Sequence, residues 1–358
     1  MGIVGTLHKT LIIRFSSVGD IILSSLLIRV FHKRFPDCRI DYCAKAEYAD
    51  LVRHNPHLSG VIEFPAGGGL RDLWRLRHAI RNNHYDLIID IHDSLRSRLV
   101  CFGSRHVVRV RKRKLARFLL VKVKWNLYEW FGGAPGVAER YLETVHFLGV
   151  KNDGNGLEVF FPSAASTAAQ EILADASIGD DNVFIGISPS ARHFNKTWPR
   201  ERFAETACTI AREQKASVLL FGFGKDEESL CQEVKLQIER LSPGIVVMNL
   251  ADRLSLSETA AMMDHCSIVI TNDSGLMHLA AARKRKVVAI FGPTVRELGF
   301  FPYGTESTVT EDTTLSCRPC THVGLSRCPQ GHFNCMRNIS PVQVVDAARE
   351  LLTRAPVP

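Results

Sequence analysis

The stretch Leu11-Ile12-Ile13-Arg14-Phe15-Ser16-Ser17-Val18-Gly19-Asp20 starts as an apolar run and ends in small residues and a carboxylate. A continuous apolar run is how a strand buried on both faces of a parallel sheet reads. Ser16 to Asp20 then opens a helix. In parallel α/β sheets ligands sit beyond the carboxyl ends of the strands, where helix N-termini point at them. A second stretch repeats the design. Ile268-Val269-Ile270 leads into Thr271-Asn272-Asp273-Ser274-Gly275-Leu276-Met277-His278. Two such turns in separate halves predict two α/β domains facing a central cleft, with a different substrate on each side.

Outward from these turns the chain alternates strand-like and helix-like runs. In the first half, strands are predicted over 11–15, 39–44, 61–64 and 85–91. Helices are predicted over 20–35, around 47–54, over 70–82 and over 138–148. In the second half, strands are predicted over 183–188, 217–221, 245–250, 267–271 and 286–291. Helices are predicted over 200–214, 226–240, 255–264, 276–282 and 341–352. Lys151 to Gly156 is rich in Gly, Asn and Asp, and Pro162 to Ala168 is small and polar. The interdomain linker is expected there. The domains are read as 1–160, 161–338 and a terminal helical segment, 339–358.

The chain has 358 residues, more than one ordinary core organises. Its 46% hydrophobic and 23% charged residues fit a soluble globular protein. No apolar stretch has the ~20 residues of a spanning helix, and Met1 to Lys9 is too short and polar for a secretory signal. An intracellular protein is expected. The net charge of +8 is uneven. Arg105 to Lys124 holds nine Lys or Arg residues and no acid. Leu115, Phe118, Leu119 and Leu120 are mixed into it, with Trp125 and Trp130 nearby. The run reads either as a solvated face or as a surface for an anionic partner, and its apolar residues suit a membrane interface better than a duplex groove. No nucleic-acid motif accompanies it.

Several residues carry chemistry. Asp20, in a first helical turn, reads as a cap or as a carboxylate able to take a proton from a substrate hydroxyl. Ser188 to Ala191, followed by Lys196-Thr197-Trp198-Pro199, offers a hydroxyl-bearing turn and a point charge for a diphosphate. The alternative is an ordinary βα loop with a surface Lys. Gly222-Phe223-Gly224 lacks the third glycine of a dinucleotide fingerprint, which argues against a nicotinamide enzyme. Its acids can serve ribose hydroxyls or merely start a helix. Asp273-Ser274-Gly275 offers backbone N–H groups to an anion, and His278 follows within about a turn.

Taken together, Ile12 to Ile21, Asp86-Leu87-Ile88-Ile89-Asp90 with Leu95-Arg96-Ser97, Lys196 to Pro199, Thr271 to His278 and Phe291-Gly292-Pro293-Thr294 resemble the lipopolysaccharide heptosyltransferases of glycosyltransferase family 9, most of all the heptosyltransferase II branch. The resemblance implies a GT-B fold of two Rossmann-like domains. It implies inverting transfer of a heptose from ADP-heptose to the lipid A inner core, at the inner face of the inner membrane, with no catalytic metal. Asp20 would be the general base, and Lys196 would hold the donor diphosphate with Ser190, Ser274 and the Gly275–Leu276 backbone. Asp273 and His278 would lie at the phosphate and sugar, Leu254 at the adenine, and Asp226 or Glu227 at the ribose. Arg71, Arg75, Arg77, Arg96 and Arg98 are the candidates for the anionic acceptor. A transferase with another nucleotide-diphosphate sugar, or a non-catalytic nucleic-acid binder using the basic run, are the competing readings.

Cys317, Cys320, Cys328 and Cys335 form a C-x2-C-x7-C-x6-C cluster. Four thiols at short spacing are compatible with structural zinc or iron. Reduced free thiols, or a disulfide formed on isolation, are the alternatives. The other six cysteines read as small core residues.

Overall fold

The computed structural model describes residues 7–131, 133–175 and 182–354. The first six residues of the Met1–Lys9 leader reading and the last four of the terminal segment lie outside them. The chain divides into two compact units, Met1–Lys112 with Val137–Phe161, and Arg113–Gly136 with Pro162–Pro358.

The first unit is built on β1 (Lys9–Ile13), β2 (Arg39–Lys45), β3 (Gly60–Phe64), β4 (Leu87–Asp90) and β5 (Val107–Arg109). The order is β3-β2-β1-β4-β5, all parallel. Ile13 stands beside Cys43 on one side and Asp90 on the other. Strand order reverses between β1 and β4, so the loops leaving them share the switch point where such sheets bind ligands. The helix Leu70–Asn82 buries Leu73, Leu76 and Ile80, the spacing that predicted it. These residues pack with Leu11, Ile13, Phe15, Phe64 and Ile88. The helix expected over 20–35 is two helices, Val18–Leu23 and Ser25–Arg34. At the break, Ser24 Oγ donates back to the Ile21 carbonyl (2.6 Å) and lies 2.8 Å from the Tyr42 hydroxyl. A serine side chain that competes for a backbone carbonyl in this way bends helices.

The second unit carries β6 (Val183–Ser188), β7 (Ala216–Leu220), β8 (Val247–Asn249), β9 (Cys266–Asn272), β10 (Lys286–Phe291) and β11 (Ser307–Glu311). The order is β11-β10-β9-β6-β7-β8, again parallel throughout, with its reversal between β6 and β9. β11 escapes sequence reading because Ser307-Thr308-Val309-Thr310-Glu311 is a half-buried edge with no apolar run. Pro162 to Ala168, which bounds the expected linker on its far side, enters the helix Ser163–Asp175. Its alanines are strong helix formers, and Ala165, Ala169 and Leu173 are buried.

Residues 113–136, inside the stretch read as the first domain, pack with the second unit. Leu120 and Tyr128 form a small core with Leu298. Lys124 Nζ donates to the carbonyls of Cys317 (2.9 Å) and Pro319. Among the described residues no helix is long and apolar enough to cross a membrane.

Candidate active site

At the first switch point the loop after β1 places Asp20 in the first turn of Val18–Leu23. Its carboxylate is heavily committed. Oδ2 lies 2.6 Å from Arg14 Nη2 and accepts from the Ser17 N–H (3.3 Å) and hydroxyl (3.1 Å). Oδ1 accepts from the Tyr141 hydroxyl at 2.9 Å. Burial opposes ionisation of Asp20, yet the Arg14 charge and the hydrogen bonds hold its pKa below the ordinary carboxylate value. The cap reading holds locally, since the Ser17 bond is half of a capping box. The same surroundings push the Tyr141 phenol well above its usual range, burial first.

These contacts make Asp20 an ionised, oriented, weakly basic group. Tyr141→Phe removes one donor to the anion, so the Asp20 pKa rises. An activity that needs this carboxylate ionised then loses its acid limb at higher pH than the wild type, which a pH–kcat profile reads. For stability the sign is the same. A depressed carboxylate pKa contributes stability above its unfolded value, and that contribution disappears as pH falls through the folded value.

At the second switch point, Lys196 closes the short turn Phe194–Lys196 after β6, and Asp273 follows β9. Lys196 Nζ and Asp273 Oδ2 are 2.6 Å apart, both largely buried. Thr294 Oγ1 donates to the same oxygen at 2.7 Å. Asn272 ties the two loops together. Its Nδ2 donates to the Pro189 carbonyl (2.8 Å) and its Oδ1 accepts the Trp198 N–H (3.0 Å). The fully buried Trp198 also donates its indole N–H to the Ile339 carbonyl at 3.0 Å. Ser274 caps the helix Gly275–Ala282, whose first N–H groups, at Gly275 and Leu276, lack intrahelical acceptors. His278 is buried in that helix, its ring 6.5 Å from that of Phe300.

Ser190 and Glu227 come together, with Ser190 Oγ donating to Glu227 Oε2 at 2.7 Å. The same oxygen accepts the Phe223 N–H at 2.7 Å. A Cβ on Gly222 would stand 3.0 Å from Glu227 Cβ, a contact to which the Glu227 side chain would have to yield. Asp226 is exposed in the first turn of Lys225–Leu241. Leu254 is buried just before the cap Ser255.

The five arginines lie on two helices of the first unit, Leu70–Asn82 and Leu95–Val100. Arg71, Arg75 and Arg96 are exposed. Arg75 reaches Asp72 at 3.5 Å. Arg77 Nε donates to the Phe102 carbonyl (3.0 Å) and stacks over Trp74 and Phe102. Arg98 pairs with Asp93 at 2.8 Å. Sequence reading passed over Arg14, Tyr141, Asn272 and Thr294. Three of these stand inside quoted motifs, so proximity was a usable signal. Tyr141 lies 121 residues from Asp20 and gave none.

All ten cysteines are free thiols. Cys317 Sγ lies 3.9 Å from His332 Nε2, and Cys320 Sγ accepts from Asn195 Nδ2 at 3.9 Å. Among the described residues no three His, Cys, Asp or Glu side chains are placed to hold a metal ion, which gives the zinc or iron suggested by the spacing no support. The segment has a visible structural part. Arg318, nearly buried, donates to the carbonyls of Gly292, Asp312 and Thr294 and pairs with Glu311. It thereby fixes the loop that carries Thr294 against Asp273. Arg318→Ala frees several buried carbonyls and should cost about 2–4 kcal/mol in denaturant unfolding, with a parallel loss of nucleotide affinity.

The profile of glycosyltransferase family 9 (heptosyltransferase) matches residues 73–327. The chain is 34% identical over 336 residues to the lipooligosaccharide heptosyltransferase 2 of Campylobacter jejuni, covering 94% of this chain and 95% of that one. It is 30% identical over 296 residues to the lipopolysaccharide heptosyltransferase 2 of Salmonella typhimurium, covering 80% and 83%. The solved structure of the Escherichia coli ADP-heptose LPS heptosyltransferase II superposes with a TM-score of 0.70 at 23% identity, covering 96% of this chain and 98% of that one. Two Rossmann-type parallel sheets, as expected for GT-B, are thus matched by a sequence likeness over most of the chain, and the protein belongs to glycosyltransferase family 9, the heptosyltransferases.

Proposed function

We propose that this protein transfers a heptose from ADP-heptose to a hydroxyl of the lipopolysaccharide inner core, with inversion. The observation that carries the reading is the buried Lys196–Asp273 pair at the second switch point, where the helix Gly275–Ala282 begins. Positive charge there suits a departing diphosphate. Asp20 on the first unit takes the proton of the acceptor hydroxyl. That oxygen bonds to the anomeric carbon while the bond from that carbon to the phosphate oxygen breaks, and its electron pair leaves with ADP. Ser190, held by Glu227, and His278 complete the donor grip. Leu254 meets the adenine, and Glu227 or Asp226 the ribose. The step uses none of the thiols.

The same reading puts the protein at the inner face of the inner membrane. Leu115, Phe118, Trp125 and Trp130 are exposed among Lys114, Lys122 and Lys124. Apolar side chains between cations suit an anionic bilayer surface. Co-sedimentation with anionic but not neutral vesicles, weakened by salt, is the expected result.

A panel of ADP-, UDP- and GDP-linked sugars with heptose-deficient core acceptors tests the donor. ADP-heptose should be consumed fastest. Preference for another donor moves the protein to the related-transferase reading, and salt-dependent nucleic-acid binding with no nucleotide-sugar affinity moves it to the binding-protein reading.

A further inference from the structure

His92 stands two residues beyond β4, at the first switch point, and the transfer step above makes no use of it. Its backbone is clamped on both sides. Arg14 Nη1 donates to the Ile91 carbonyl at 2.8 Å, and Lys112 Nζ donates to the Asp93 carbonyl at 2.8 Å. The His92 N–H itself goes to Asp90 Oδ1 at 3.1 Å. The ring meets Phe15 edge-on, with centroids 5.1 Å apart and planes at 66°. Lys45, the last residue of β2, donates its N–H to the Phe15 carbonyl at 3.0 Å. The other guanidinium arm of Arg14 is the one that holds Asp20. One arginine therefore ties His92 to the carboxylate proposed as base.

The ring is half-buried, and its Nδ1 is enclosed with no hydrogen-bond partner. That leaves Nε2 as the ring atom a ligand can reach. An enclosed N–H without an acceptor is costly, so the neutral ring keeps its proton on Nε2. Burial, then the charges of Arg14 and Lys112, hold the imidazole neutral, with its pKa lowered to about 3. Asp20 works against this shift and Lys45 with it. Arg14 is paired with Asp20 and Lys45 with Glu47 at 3.2 Å, while Lys112 has a carbonyl partner, and a rigid N–H donor beside these cations matches an anionic oxygen.

Resting on the transferase reading, we propose that His92 is an acceptor-site residue. Its Nε2–H donates to an oxygen of an anionic group, phosphate or carboxylate, on the acceptor saccharide, in a basin charged by Arg14, Lys45 and Lys112. The role is one of specificity and positioning. No proton is transferred through it. It is a separate role from that expected of the five arginines singled out by sequence, of which Arg98 pairs with the neighbouring Asp93.

The test measures binding of the delipidated inner-core saccharide to the full chain by calorimetry, alongside steady-state transfer. His92→Phe keeps a ring against Phe15 and loses the donor. His92→Gln places an amide N–H near the position of Nε2. The Phe variant should weaken saccharide binding and raise acceptor KM about tenfold or more. ADP affinity and melting temperature should stay at wild-type values, and Gln should recover most of the loss. Phosphatase-treated saccharide separates the two sources. If it abolishes the difference between wild type and Phe, the partner is a phosphate; if the difference persists, the partner is a carboxylate. Unchanged saccharide affinity in His92→Phe overturns the assignment. So does a loss that tracks a fall in melting temperature and is not recovered by Gln. Because binding is read without turnover, a wild type that binds saccharide but transfers no heptose contradicts the transferase reading and leaves His92 standing.

Discussion

Asp20→Ala is expected to lower kcat by about a thousandfold or more while leaving ADP affinity within about a factor of two. The two effects separate because Asp20 lies in the first unit, whereas the residues proposed to hold ADP are all in the second. Asp20 is held below the ordinary carboxylate pKa despite its burial. In the proposed role it therefore contributes by being ionised and held in place, more than by intrinsic basicity. Its removal leaves the Arg14 guanidinium without its ion-pair partner, so part of the Ala effect is structural. Asp20→Asn separates the terms, since it keeps the size and one acceptor oxygen but not the charge. Calorimetric ADP titration beside single-turnover transfer reads both. An Asp20→Asn protein with near-normal kcat removes Asp20 from the base role.

The second large effect is expected at Lys196. Lys196→Ala should weaken ADP binding by about a hundredfold or more and also lower stability. Lys196 and Asp273 are a largely buried pair at 2.6 Å. Deleting the cation strands a carboxylate whose remaining partner is the Thr294 hydroxyl. Breaking a buried pair from one side costs about 3–5 kcal/mol. Two measurements divide the loss. Unfolding reports the stranded Asp273, and ADP titration at a temperature where the variant is folded reports the missing charge on the diphosphate. The double variant Lys196→Ala/Asp273→Asn should regain stability without regaining ADP affinity. If ADP affinity returns with stability, Lys196 serves the fold and not the nucleotide.

Much of this arrangement was legible in the chain because parallel sheets write themselves plainly. Leu11 to Ile13 and Ile268 to Ile270 are runs that only a doubly covered strand needs, and each ends in the residues that a ligand-facing βα turn requires. Helix spacing was equally direct at Leu73, Leu76 and Ile80. What failed to show depends on partners far apart in sequence. Tyr141 has no local mark of its bond to Asp20. Thr294 looks like an ordinary loop residue until β9 and β10 are laid side by side. Residues 113–136 read as part of the first domain because chain order was the only guide, and their packing on Leu298 is a long-range fact. The five arginines were chosen for charge alone, and exposed charge says little about convergence. Arg77 and Arg98 are engaged in local contacts with Phe102 and Asp93. The residues that do contact Asp20 come from the end of β1, the loop after it and the helix Val137–Glu143, a grouping set by the fold.

The anomeric configuration of the product is the most direct measurement of the account. Purified protein, ADP-heptose of defined configuration and a heptose-deficient core acceptor are incubated, and the new linkage is read by NMR while released ADP is counted. A base on the acceptor and a gripped diphosphate leaving in the same step require one ADP per heptose and an inverted anomeric carbon. Retained configuration, or ADP released without a matching glycosidic bond, would contradict it.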